Sequence, residues 1–195
     1  MRLCAITNRL AFDDPGQLLT LTADWATGGV EFIQLREKDL APADLQLLAE
    51  QIKARIAGTA SQLLINVASP DSPLAGVGDG VHLAGKPRRG ATALVRQNHP
   101  HALVSMPSHS LDDIEVAVLE QVDLLLFSPV FEKGSAVPQG LEGLQQACAA
   151  AGSIPVLALG GITIANAEAC VAAGAAGVAG IRLFAGDDWR RLHDI

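Results

Sequence analysis

Eight short apolar runs recur along the chain at nearly regular intervals: RLCAIT, EFIQLR, QLLIN, DGVHL, ALVS, DLLLFS, PVLALG and GVAGI. Each has the length and composition of a strand buried on both faces. Between them lie stretches with helix signals. Asp13-Asp14-Pro15 offers an acidic cap and a proline at the first helical position. Pro42-Ala43-Asp44 opens DLQLLAEQIKARIAG, whose apolar residues follow helical spacing up to Gly58. Ser110-Leu111-Asp112-Asp113 approaches a capping box before IEVAVLEQ, and Ala165-Asn166-Ala167-Glu168 precedes ACVAAGAAG.

Strand then helix, repeated about eight times at about 24 residues per unit, is the pattern of parallel βαβ units. Eight such units close into a (β/α)₈ TIM barrel, here a compact single domain spanning 1–195 with short loops. A doubly wound open sheet is the competitor. It would leave two strand-like runs unplaced, and no GxGxxG follows the first strand.

In such a barrel one face of each strand packs on helices, the other fills the lumen, and chemistry gathers at the C-terminal strand ends. EFIQLREKDL is informative in that light. Alternation puts Phe32, Gln34, Arg36 and Lys38 on one side and Ile33, Leu35 and Glu37 on the other. Polar residues stand at the remaining ends too: Thr7 and Asn8 after the first strand, Asn66 after the third, His82 in the fourth, Ser105 after the fifth and Ser128 after the sixth. The seventh and eighth ends read Gly160-Gly161-Ile162-Thr163 and Ala179-Gly180-Ile181-Arg182. Glycine lets backbone approach a phosphate, helix-starting N–H groups point at it, and Arg182 adds a guanidinium, so Gly160, Gly161, Gly180, Ile181 and Arg182 are expected to form a phosphate cup.

Composition narrows the partners. A net charge of −7 and a pI near 5.1 oppose a nucleic-acid partner, and 4% aromatic residues with no Tyr remove the usual base-stacking platforms. No run approaches the roughly 20 apolar residues of a membrane span, and MRLCAITNRL lacks the apolar core of a secretory signal, so a cytoplasmic location is expected. Cys4, Cys148 and Cys170 have no CxxC spacing and read as buried free thiols. His99 and His101 lack a third ligand at a useful spacing for zinc.

The ordered series AITN, FIQLREKDL, LLIN, GDGVHL, VSMPSHS, DLLLFSPVF, GLEGL, IPVLALGGI and GAAGVAGI resembles the thiamine phosphate synthase and TenI family over nearly the whole chain. The resemblance implies that Gln34, Arg36, Lys38, Asn66 and Ser105 contact substrate, and that Gly161, Gly180 and Ile181 hold a thiazole phosphate. Synthases of the family join a pyrimidine pyrophosphate to thiazole phosphate with Mg²⁺, held by carboxylates. Here Val67 stands where the resemblance places an acid after Asn66, and Lys86 where another follows the fourth strand. Asp71 could compensate only from a rebuilt loop, and Lys133 sits at a different spacing from the family's phosphate-binding lysine.

These departures resemble the TenI branch, a thiazole tautomerase that needs a base and no metal. Its histidine before VF is Pro129 here, which leaves His82, His109 and Lys38 as the candidate catalytic groups. The first expectation is therefore a TenI-like tautomerase that takes a phosphorylated thiazole, with no metal ligands and no cofactor. The alternatives are a thiamine phosphate synthase, in which case Mg²⁺ is needed, and a non-catalytic phosphate-metabolite binder. Neither nucleic acid nor membrane is expected as a partner, and a homodimer is compatible with the sequence.

Overall fold

The computed structural model describes residues 1–11, 16–132, 134 and 137–195. Eight parallel strands close on themselves in sequence order: β1 (Arg2–Ile6), β2 (Phe32–Leu35), β3 (Gln62–Val67), β4 (Gly80–Leu83), β5 (Leu103–Ser108), β6 (Leu124–Phe127), β7 (Val156–Ala158) and β8 (Gly177–Gly180). The closing pair runs β1 to β8, with Cys4 opposite Ala179. Each expected strand is present, and the barrel rather than the open sheet is the fold.

The two faces separate as the alternation requires. Cys4, Ile6, Phe32, Leu64, Leu124, Leu126, Leu157 and Ala179 make one apolar cluster. Neighbours one position along, such as Leu3, Ile33, Ile65, Leu125 and Val178, belong to the larger shell formed with the helices. Neighbours in sequence thus fall into different clusters, which is the signature of strands buried inside and out.

Among the described residues six α-helices cover the sheet: α1 (Gln17–Thr27), α2 (Pro42–Ile56), α3 (Ala91–Asn98), α4 (Leu111–Leu119), α5 (Gly140–Ala151) and α6 (Ile164–Ala172). Proline opens α2 as expected, with Ala41 as its cap. The Asp13-Asp14-Pro15 signal lies outside the described residues. Ser110 accepts the Asp113 N–H at 3.2 Å and caps α4, while Asp113 reaches back to the His109 N–H rather than to its own cap. α6 begins earlier than the Asn166 signal, because Thr163 supplies the cap and Asn166 accepts the Thr163 N–H at 2.8 Å.

Two helical layers are reduced. Only a short turn, Pro73–Gly76, links β3 to β4, and β8 is followed by 3₁₀ turns at Arg182–Phe184 and Asp188–Asp194. The last turns still cover the sheet. Trp25 of α1 donates to the Phe184 carbonyl at 3.1 Å, and the Phe184 ring lies 6.0 Å from that of Trp189. Cys4 and Cys170 are buried, whereas Cys148 is only half-buried, so the expectation of three fully buried thiols is corrected for that residue. Burial pushes the Cys4 thiol up to about 12, with a contribution from Glu31.

Candidate active site

The C-terminal end of the barrel opens into a central cavity of about 260 Å³, whose lining includes Gln34, Arg36, Lys38, Asn66, His82, His109 and Ser128. The residues nominated from β2, β3 and β4 therefore do come together. On the β2/β3 side the mouth widens into a groove of about 720 Å³ that shares Lys38, Asn66 and Ala84 with the cavity and is floored by Leu45, Val67 and Leu74. Arg36 is half-buried and Lys38 exposed, a gradient that follows from their positions one and three residues beyond the end of β2.

Below the cations lies a polar floor. Asn66 Nδ2 donates to Gln34 Oε1 at 3.2 Å, which leaves Gln34 Nε2 buried without a protein acceptor among the described residues. An orphaned donor at a cavity wall is costly unless a ligand or water meets it, so it marks a place for an acceptor atom. His82 is buried, with its Nδ1 3.0 Å from Ser105 Oγ. Burial and then the nearby Arg36 charge push its pKa down to about 3, so the ring is neutral at physiological pH.

Ser105 requires a correction. It does not end β5, which continues to Ser108, and it is buried behind His82 instead of lining the cavity. Its contact is with the histidine, and it acts on the mouth through that ring. His109 comes from the residue before the α4 cap. Its Nδ1 lies 2.6 Å from the Ser128 carbonyl oxygen, which only accepts, so Nδ1 carries the proton and Nε2 is the basic nitrogen of the neutral ring. His99 and His101 lie instead around a separate cavity with Asp79, Asn98 and Leu103, on the side where β5 begins.

Beside the central cavity, and sharing Leu159 and Ile181 with it, is a second one of about 250 Å³ lined by Asn8, Gly160, Gly161, Gly180, Arg182 and their neighbours. Gly160 has φ +92° and Gly161 φ +68°; a Cβ would stand 2.7 Å from Pro129 Cα at the first and 2.7 Å from Phe131 Cβ at the second. Only glycine fits both the conformation and the space. Asn166 Nδ2 donates to the Gly161 carbonyl at 3.0 Å, so the N–H of the same trans peptide, on Ile162, faces the opposite way. Among the described residues the N–H groups of Gly161, Ile162 and Ile181 meet no protein acceptor. Free amides, a helix start and the exposed Arg182 guanidinium together suit an anion.

One prediction arises here. Gly161→Ala weakens inorganic phosphate binding about tenfold, since a Cβ must displace the loop that presents the amides. Isothermal titration of both forms reads the change, and equal affinities would remove the cup assignment.

Two of the carboxylates near the mouth are already engaged. Both Glu37 oxygens accept the Arg9 N–H, at 3.0 and 3.1 Å, and Asp39 takes the Arg9 guanidinium at 2.8 and 2.6 Å. Asp71 is exposed and accepts from Ser69. Val67 packs in the outer shell and Lys86 is exposed. Among the described residues no three His, Cys, Asp or Glu side chains gather as metal ligands. Mg²⁺ usually takes one or two carboxylates together with substrate phosphates, and Asp71, exposed in the groove beside Asn66 and Lys38 with no cation partner among the described residues, is a carboxylate that such an ion would use. Lys133 lies outside the described residues.

The family model described as thiamine monophosphate synthase matches residues 3–184. The chain belongs to that family. It is thus one of the thiamine phosphate synthase family enzymes of thiamine biosynthesis. Relatives agree: a protein of Aquifex aeolicus, provisionally named a second thiamine-phosphate synthase, is 36% identical over 94% of this chain and 97% of its own. The thiamine-phosphate synthase of Albidiferax ferrireducens is 34% identical, over 92% of this chain and 82% of its own. In fold, the chain matches the thiamine phosphate pyrophosphorylase of Pyrococcus furiosus with a TM-score of 0.80 at 24% identity, covering 98% of this chain and 91% of that one. The relatives' names favour the synthase alternative over the tautomerase first expected. No helix among the described residues is long and apolar enough to cross a membrane.

Proposed function

We propose that this member of the family is a thiamine-phosphate synthase, which holds a thiazole phosphate by its phosphate in the β7/β8 cup and a pyrimidine pyrophosphate by its pyrophosphate at Arg36 and Lys38. The observation that carries the reading is that the two anion sites open into adjoining cavities with Leu159 and Ile181 as common wall. Two phosphorylated substrates held this way bring their rings together over Gln34, Asn66 and His82. As the bond between the pyrimidine's methylene carbon and the pyrophosphate oxygen breaks, its electron pair leaves on the pyrophosphate, and the lone pair of the thiazole nitrogen forms the new bond to that methylene carbon, giving a thiazolium. Arg36 and Lys38 stabilise the departing charge, Gln34 Nε2 donates to a ring acceptor, and neutral His82 adds no competing positive charge beside the pyrimidine. Mg²⁺, which the synthase reading implies, would be held by Asp71 together with the pyrophosphate and would offset the same departing charge.

A second reading is metal-free proton transfer on a thiazole phosphate carboxylate, favoured by the basic His109 Nε2 beside the cavity. One assay separates the readings. With both substrates present, pyrophosphate release is expected; isomer conversion of the thiazole alone, without release, would replace the first reading by the second. Binding with neither outcome would leave a phosphate-metabolite binder. Repeating the release assay in EDTA and in Mg²⁺ tests the metal: release is expected to need Mg²⁺, and full release in EDTA would mean that Arg36 and Lys38 carry the departing charge without it.

A further inference from the structure

Residues 36–39 divide their work by alternation. The even positions, Arg36 and Lys38, line the central cavity, and the odd positions, Glu37 and Asp39, both grip Arg9. Glu37 is the unusual member. Its side chain is 1% exposed, yet both oxygens are spent on a backbone N–H, and the Arg9 guanidinium, 3.5 Å away, is directed mainly at Asp39. A buried carboxylate is retained only where its hydrogen bonds offset the cost of leaving water, and these bonds hold the chain after β1 against the chain after β2.

Two more contacts tighten the same seam. The Arg36 N–H donates to Thr7 Oγ1 at 2.9 Å, and the Thr7 N–H donates to the Gln34 carbonyl at 2.9 Å. Between Thr7 and Arg9 stands Asn8, which lines the phosphate cup. The seam therefore joins the wall of one anion site to the cations of the other.

We propose that Glu37 is a positioning residue that, through Arg9, fixes Arg36 and Lys38 in register with the β7/β8 cup. This rests on the reading of two anion sites given above. The Glu37 oxygens are spent on the Arg9 N–H, so Glu37 acts through that contact. It sets where the cations stand, and Asp39 reinforces it by fixing the Arg9 side chain from the solvent side.

The test uses Glu37→Gln, and Asp39→Asn as a surface variant that leaves the buried carboxylate in place. In the ligand-free protein, amide hydrogen exchange at Arg36 is expected to rise about tenfold in Glu37→Gln, while the amide of Ile33 in the strand interior is unchanged. Inorganic pyrophosphate affinity is expected to fall about tenfold, with inorganic phosphate affinity in the cup within about twofold of wild type. Asp39→Asn changes the first two quantities in the same direction, by about threefold. Unchanged Arg36 exchange in both variants would overturn the proposal, as would an equal loss for phosphate and pyrophosphate, the mark of general loosening. If the wild-type protein binds no pyrophosphate, the synthase reading fails and the exchange result alone decides the role of Glu37.

Discussion

Replacing His82 by Gln flattens the acid limb of the stability curve. The sign follows from where the proton goes. Above about pH 6.5, the ordinary histidine pKa, the ring is neutral in both folded and unfolded chains and contributes no pH dependence. As pH falls below that value the unfolded chain takes up a proton, while the folded one, with its pKa pushed down to about 3, does not. Stability is therefore lost as pH falls from about 6.5 to about 3, at about 1.4 kcal/mol per unit for this one group. Across the window the loss is on the order of 4 kcal/mol, comparable to a large part of a typical domain's stability.

Gln can keep a hydrogen bond to Ser105 and does not titrate, so urea unfolding at pH 7, 6, 5 and 4 should show the variant losing less stability per unit than wild type. Parallel curves would mean that the ring is protonated in the folded chain. The same neutrality bears on catalysis. With a pKa near 3, His82 is a weak base at neutral pH, which makes it a hydrogen-bonding wall of the cavity and leaves His109 as the stronger candidate for proton transfer.

The barrel was legible because its strands must satisfy two apolar surroundings at once, and the runs from RLCAIT to GVAGI carry that signature without long-range information. The mouth was legible for a related reason. Alternation through Phe32, Gln34 and Arg36 is a local property, and the barrel converts it into a common direction. What the sequence hid depends on partners distant along the chain. Ser105 looked like a strand end because the run ALVS stops there; beyond Ser105, β5 continues and pairs with β6 alone, where Pro107 is tolerated on the unpaired side. Glu37 was assigned to the face away from the mouth, but nothing in EFIQLREKDL shows that it meets Arg9, 28 residues earlier. Asn8 was noted as a strand-end residue, yet only the closure of β8 onto β1 brings it beside Gly180.

Arg36→Ala is expected to weaken inorganic pyrophosphate binding by about 1.5 to 3 kcal/mol, the range for a hydrogen bond to a charged group. That is roughly a tenfold to hundredfold rise in Kd, because 1.4 kcal/mol is a factor of ten. Arg36→Lys restores the charge but not the planar fork, so it should fall between wild type and Ala. His82 supplies an internal reporter. The Arg36 charge is the second cause of its low pKa, after burial, so removing the guanidinium should raise the His82 pKa while burial still holds it below 6.5. Histidine ring shifts followed by NMR across acidic pH read this directly in the ligand-free protein. A changed Kd with an unchanged His82 titration would place Arg36 outside the cavity floor and leave the anion site standing. An unchanged Kd would take the pyrophosphate away from β2, and with it the synthase reading, since no other pair of cations lines the central cavity among the described residues.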